Sequence, residues 1–270
     1  MPVLVTAAEQ PLARQIAVRF VQEGGEVRAF ADGDTSVLRA AGVFIASGTR
    51  DDEGRLEAAA EDVHTVVHVG GGLLSRDPAA MVDDVEVVLR AAANAGVRRL
   101  IALSLPGADP GADDAIRRAK GEVEARLAAA PLPTVTVRTS LVDTPAIRDA
   151  LATSGLGPQA RDAVIAPVRA VDLIELIVAF DRARSSASTG HLVVAADGPV
   201  HRTVAEHLEL AGAHAPGGGS LVGRKLSAAW LTVQLQQVLA GPWWTEDPVV
   251  LDGWAFADLR ATAPGSPGVA

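Results

Sequence analysis

The chain has 270 residues, is 49% hydrophobic but only 3% aromatic, and carries a formal net charge of −9 with neither cysteine nor tyrosine. That charge opposes an extended nucleic-acid footprint, and the missing thiols exclude a disulfide framework, a cysteine nucleophile and a zinc–thiolate site. A core built from Ala, Val, Leu and Ile suits a parallel sheet covered by helices, and the length accommodates one large α/β domain with an appended lobe.

Read in order, residues 3–6 predict a short buried strand and 12–21 the helix behind it. Strands are expected over 26–30, 42–46 and 63–69, the last running into Gly70, Gly71 and Gly72, with a short helix over 55–60. Residues 78–95 predict a long helix with Pro78 near its first turn and Gly96 at its end, as helix start and stop rules require. A strand over 97–103, a helix over 113–130 and a strand over 134–138 complete a βαβ alternation, the pattern of a Rossmann-like doubly wound parallel sheet. Strands over 163–166 and 191–194 and helices over 171–178, 203–210 and 226–239 follow with looser spacing, interrupted by Gly217, Gly218 and Gly219. The division expected is a nucleotide-binding-type core at 1–140, the remaining sheet elements and a small C-terminal lobe at 141–262, and a flexible tail at 263–270. The chain enters its first strand without a basic leader or long apolar run, so no signal peptide or membrane span is expected, and a cytoplasmic location is.

Taken together, several segments resemble the atypical and extended short-chain dehydrogenases, the group of NmrA-like and epimerase–dehydratase-like proteins. These are the opening strand–turn–helix at 3–14, Val66-Val67-His68 with the glycines after it, Ser104, the lysine-bearing stretch around Lys120, Glu122 and Glu124, and the later segments 166–172 and 190–195. The resemblance covers nearly the whole chain. It implies a dinucleotide beside the first turn, where Ala7, Gln10, Leu12, Asp32, Gly70 and Lys120 fall on cofactor-facing positions, and acid–base chemistry at the positions of Ser104, Ile116 and Lys120.

The departures fall on function. The family pairs tyrosine with lysine in Tyr-x-x-x-Lys; here the lysine is Lys120 and the tyrosine position is Ile116, which cannot hold or donate a proton. The glycine turn reads Ala7, Gln10 and Ala13, with a long side chain where phosphate should lie and Pro11 removing a donor. The acidic position after the third strand is Thr49. Asp32 or Asp34 takes ribose hydroxyls in one reading, weakly favouring NAD over NADP, and caps the following turn in the other. Lys120 is either a residual cation for ribose or phosphate, or a helix-surface lysine paired with Glu124. The pairs His64/His68 and His201/His207 are wrongly spaced for chelation, so no metal is expected, and Arg98-Arg99 and Arg117-Arg118 read as solvated ends of elements.

All four tryptophans, Trp230, Trp243, Trp244 and Trp254, lie in the last quarter, and Trp243 and Trp244 follow Gly241-Pro242. The pair is expected near solvent, contacting a small-molecule ligand or protein partner, with packing inside the lobe as the alternative. An apolar stripe of Val85, Val88, Leu89 and Ala92 suggests a homodimer through the two long helices, unless the stripe faces its own sheet. The reading is a catalytically degenerate short-chain-dehydrogenase-like protein, a ligand sensor or interaction module with weak or no NAD(P) binding. The alternative is an active NAD(P)-dependent reductase or epimerase using a non-standard acid.

Overall fold

The structure, a computed structural model, describes residues 2–183, 190–211, 228–244 and 248–250. Its main sheet comprises β1 (Val3–Thr6), β2 (Val27–Ala31), β3 (Phe44–Ser47), β4 (Thr65–His68), β5 (Arg99–Ser104), β6 (Thr134–Thr139), β10 (His191–Asp197) and the two-residue β12 (Val249–Val250). The order is β12-β10-β6-β5-β4-β1-β2-β3 and every pairing in it is parallel. Order reverses at β1, so a crevice opens at the carboxyl ends of β1 and β4, where ligands bind in doubly wound sheets.

Strand alternation sorts the core onto two faces. Val3 and Val5 point toward α1 (Pro11–Gln22) and α8 (Ala170–Arg182), where Ile16, Phe20, Leu173 and Ile177 join Val67, Ile101 and Val137. Leu4 points the other way, toward α3 (Glu53–Ala60), α4 (Ala80–Asn94) and α5 (Ala115–Ala128), where Leu56, Val85, Val123 and Leu127 join Val66 and Leu100. Helix α3 starts two residues before the expected span because Asp52 caps it by accepting from the Arg55 backbone. Gly96 closes α4 in the left-handed region, at φ +69°.

Residues 36–40 form a helix, α2 (Ser36–Ala40), that the sequence reading omits. In the lobe, α6 (Pro145–Thr153), α7 (Pro158–Arg161), α9 (Val204–Leu210) and α10 (Ala228–Leu239) accompany two small sheets. One pairs β7 (Val142–Asp143) with β9 (Val168–Arg169); the other pairs β8 (Val164–Ile165) antiparallel with β11 (Arg202–Thr203). The expected strand at 163–166 therefore belongs to the lobe, whereas β10 extends past its predicted end and returns to the main sheet. Leu151, Ile165, Val204, Leu235 and Trp243 share one buried cluster with Leu4 and Leu100, so the lobe continues the core on the α3–α5 face. The glycine run at 217–219, Trp254 and the expected tail lie outside the described residues.

Two expectations are corrected here. The stripe of Val85, Val88, Leu89 and Ala92 is buried within the chain's own core, because the apolar face of α4 is the one that covers the sheet. It is not available as a dimer face. The arginine pairs are each half buried: Arg99 sits inside with its Nη1 donating to the Phe180 carbonyl, and Arg117 is enclosed, while Arg98 and Arg118 are exposed.

Candidate functional site

At the carboxyl end of β1 the chain turns through Ala7, which stands at φ +54°. This is the left-handed conformation that glycine adopts freely and alanine adopts at a cost of about 1–2 kcal/mol. The dinucleotide-type bend is therefore preserved with a methyl group on it. Gln10 occupies the N-cap of α1 without capping it through its side chain, and its backbone N–H is taken by the Ala7 carbonyl. Pro11 is the first helical residue and offers no donor.

Thr6 Oγ1 and His68 Nδ1 are 2.8 Å apart across β1 and β4, and the imidazole is buried. Burial, and then the charge of Lys120, push the His68 pKa down to about 3, so the ring is neutral at pH 7. Lys120 projects inward from α5 and donates to the carbonyls of Leu103 (2.9 Å) and Gly70 (3.0 Å). Burial lowers its pKa to about 8, with Glu124 acting in the opposite sense. Lys120 is thus no surface residue, and Glu124 forms its close ion pair with Arg138 instead.

Ser104 ends β5 with its Oγ buried and, among the described residues, without a hydrogen-bond partner. Ile116 is 1% exposed and belongs to the core cluster that also contains Leu105, Leu141, Leu235 and Trp243. The three positions of the expected acid–base machinery thus hold an orphaned hydroxyl, an alkyl side chain and an amine tethered to two carbonyls.

The lobe is fastened over this region by Arg117, which the sequence reading places at a solvated end of an element and the structure buries. Arg117 donates through Nε to Pro106 O (2.9 Å), through Nη1 to Asp114 Oδ2 (2.7 Å) and Val238 O (2.8 Å), and through Nη2 to Pro242 O (2.7 Å). Its guanidinium lies 5.3 Å from the centre of the Trp243 ring, whose Nε1 donates to Val238 O. Gly107 and Gly241 permit the approach: a Cβ on Gly107 would meet Pro242 at 2.5 Å, and one on Gly241 would meet Arg117 at 2.3 Å. From α10, Gln234 Nε2 reaches the carbonyls of Leu73 and Ser75, and Trp230 carries Arg76 over its ring. The only sequence signal for Arg117 is its place on the α5 face that also carries Lys120 and Glu124.

Trp243 and Trp244 divide. Trp243 is 1% exposed and is a packing residue of the lobe, so the expectation that it faces solvent is corrected. Trp244 is 43% exposed and its ring centre lies 5.6 Å from that of His201. His207 is buried against Asp143, with Nε2 3.3 Å from Oδ1. Among the described residues no group of three or more potential metal ligands occurs.

The remaining cleft is bounded by Thr6, Ala7, Glu9, Asp32, Arg50 and His68, with Phe30, Leu56, Val88 and Asp84 completing its wall. Leu12 is not among these residues. Gly70 contributes its carbonyl to Lys120, and a Cβ there would strike the His68 ring at 2.4 Å. Asp34 caps the turn through Ser36 N at 2.9 Å, whereas Asp32 stands exposed at the cleft. Burial raises the Glu9 pKa, and Arg50 pairs with Asp84 at 3.1 Å. The cleft encloses about 40 Å³, room for a few waters and well short of the roughly 300 Å³ at which small-molecule pockets begin. With Glu9 beside the phosphate turn and Lys120 held by carbonyls, these residues do not fit a dinucleotide in this conformation.

The fold is that of extended short-chain dehydrogenases and epimerases. A nucleoside-diphosphate-sugar epimerase of Staphylococcus aureus aligns at TM-score 0.71 over 98% of both chains with 15% identity. The Bordetella bronchiseptica enzyme WbmG, solved with NAD, aligns at 0.62 over 82% of both with 22% identity. A Brucella ovis UDP-glucose 4-epimerase, also solved with NAD, aligns at 0.64 over 78% of this chain and 82% of that one with 16% identity. No family model and no curated protein sequence matches the chain. Among the described residues no helix is long and apolar enough to cross a membrane.

Proposed function

We propose that the protein is a catalytically degenerate relative of the short-chain dehydrogenases that senses a small ligand, with NAD(P) binding weak or absent. The observation that carries this reading is Ile116, buried at the position of the proton donor inside a core that the lobe closes through Arg117 and Trp243. A positioned acid or base contributes roughly 10²–10⁴-fold to rate, and an alkyl chain supplies none of it. The likeness to enzymes solved with NAD bears on the fold, while the residues that would grip phosphate and move a proton have changed. A cytoplasmic location belongs to the same proposal, resting on the cysteine-free composition.

The test combines calorimetry with NAD(H) and NADP(H) and a search for hydride transfer by absorbance at 340 nm. The expected result is no turnover, and none in Ile116→Tyr, because a phenol placed there meets packed side chains and no open crevice. Turnover that disappears in Lys120→Ala would restore the second reading, an enzyme using Lys120 as its acid. What favours that reading is the amine, with its pKa near 8, on the carbonyl of Leu103 immediately before the orphaned Ser104 hydroxyl.

A further inference from the structure

We propose that a groove on the flank of α1, away from the crevice at the strand ends, binds a small amphipathic carboxylate, an anionic headgroup on a short alkyl chain. The inference goes beyond the reading above and does not depend on it, because the groove shares no lining residue with the cleft at β1 and β4. The groove runs between α1, α2 and α8 and holds about 290 Å³, close to the roughly 300 Å³ at which small-molecule pockets begin. All three helices give it apolar lining: Val18 from α1, Val37 from α2, and Val171 and Ile174 from α8. Val37 and Val171 are 59% and 55% exposed, although their helices bury Leu38 and Leu173 completely. Two branched side chains thus face water at a concave surface, and an alkyl guest lying there removes both from it.

An independent observation fixes the sign of the headgroup. Arg19 donates to both carboxylate oxygens of Glu175 and pairs with Glu23, which also receives Arg182, so these two guanidiniums and two carboxylates cancel. Arg14 stands apart from that network. Among the described residues its guanidinium makes one hydrogen bond, from Nη2 to the Asp34 carbonyl at 3.2 Å, and no ion pair, while its Nε is buried without an acceptor. The exposed Asp34 carboxylate does not take the charge over: its pKa is lowered chiefly by the Ser36 N–H that it accepts at 2.9 Å and least by Arg14. The groove is therefore left with one positive charge beside an apolar surface. A planar guanidinium offers its remaining N–H groups to a carboxylate as charge-assisted donors. One unspent charge matches a carboxylate better than a dianionic phosphate, repels an ammonium, and gains less from a neutral alcohol.

The experiment titrates the full chain at pH 7 with four probes, hexanoate, hexanol, hexylamine and acetate, followed by ligand-observed NMR and thermal shift. The first three share one carbon chain and differ in charge, and acetate keeps the charge without the chain. Hexanoate is expected to bind about tenfold more tightly than hexanol or acetate, with hexylamine showing no binding. Arg14→Gln should bring hexanoate down to the level of hexanol, and Val171→Asp, at an exposed position, should abolish hexanoate binding. The melting temperature of each unliganded variant should stay within a few degrees of the parent chain. If Arg14→Gln does not fold, Val171→Asp decides alone. Hexanol or acetate binding as tightly as hexanoate, no hexanoate binding, or hexanoate binding unchanged in a folded variant overturns the inference. NAD titrated in parallel keeps the two levels apart. Micromolar NAD affinity overturns the functional reading and leaves the groove untouched, whereas a chain that binds neither NAD nor hexanoate overturns only the carboxylate assignment.

Discussion

Three side chains carry strain or buried charge that titration and mutation can read out. Ala7 at φ +54° is the clearest, because relief of the left-handed penalty on going to glycine exceeds the added unfolded-state entropy. Ala7→Gly is expected to stabilise by up to about 1 kcal/mol in urea unfolding, and a lowered midpoint would contradict the strain. Lys120 is a buried base whose folded pKa, about 8, lies below its ordinary 10.5. Between those values the unfolded chain holds a proton that the native state has released, so stability rises with pH across that window, by at most about 1.4 kcal/mol per unit. The measurement is unusually clean: the only other lysine is Lys225, and there is no tyrosine or cysteine to titrate alongside it. Lys120→Met should lose that rise.

His68 produces the corresponding effect on the acid side. Its folded pKa of about 3 lies below the ordinary 6.5, so the unfolded chain takes up a proton first as pH falls. Stability therefore drops from about pH 6.5 toward pH 3, by up to about 1.4 kcal/mol per unit for this group. His68→Gln should flatten that part of the curve, and an unchanged acid limb would mean that the ring is hydrated.

At the scale of elements, α10 is held less by its own propensity than by one guanidinium. Arg117 satisfies the carbonyl of Val238 in the last turn of α10 and that of Pro242 past its end, and carries Trp243 on its face. Removing it leaves those carbonyls and Asp114 without their cation, and losses of about 3–5 kcal/mol are typical when one partner of a buried pair is deleted. Arg117→Ala should therefore lower the melting temperature and open residues 228–244 to limited proteolysis. Arg117→Lys should recover little, because a point charge cannot reproduce the planar fork or the ring stacking. Similar logic applies to α4: Val85 is wholly buried against the sheet, so Val85→Ala is expected to cost about 1–3 kcal/mol of stability and to leave the molecular mass by light scattering unchanged.

At the scale of the molecule, the sheet keeps a switch-point crevice whose first turn carries Gln10 at the N-cap of α1 and Pro11 at its first position. Binding of NAD(H) or NADP(H) is expected to be weaker than about 0.1 mM, near −5 kcal/mol, by calorimetry. A micromolar constant would require Glu9 and Gln10 to move out of the turn on binding. The alternation of strand and helix and the doubly wound parallel sheet followed from local patterning: short apolar runs flanked by glycine and separated by helical periods admit few other arrangements. The absence of tyrosine is a matter of composition, and the family resemblance is what puts Ile116 at its position.

Burial and partnership were settled only by the tertiary structure. Arg117 and Arg118 are adjacent and chemically identical, yet one is enclosed and the other exposed, because helix periodicity places them on different faces and the lobe covers only one. Trp243 and Trp244, adjacent and past the end of α10, are divided as well, one packed against Arg117 and the other exposed. Lys120 looked equally able to reach Glu124 on the helix surface, but α5 packs against the carboxyl ends of β4 and β5, and the carbonyls of Gly70 and Leu103 took its protons. A sequence carries its periods and its missing side chains openly. Which polar group meets which, across 50 or more residues of chain, depends on how helices and lobe close over the sheet, and that is decided in three dimensions.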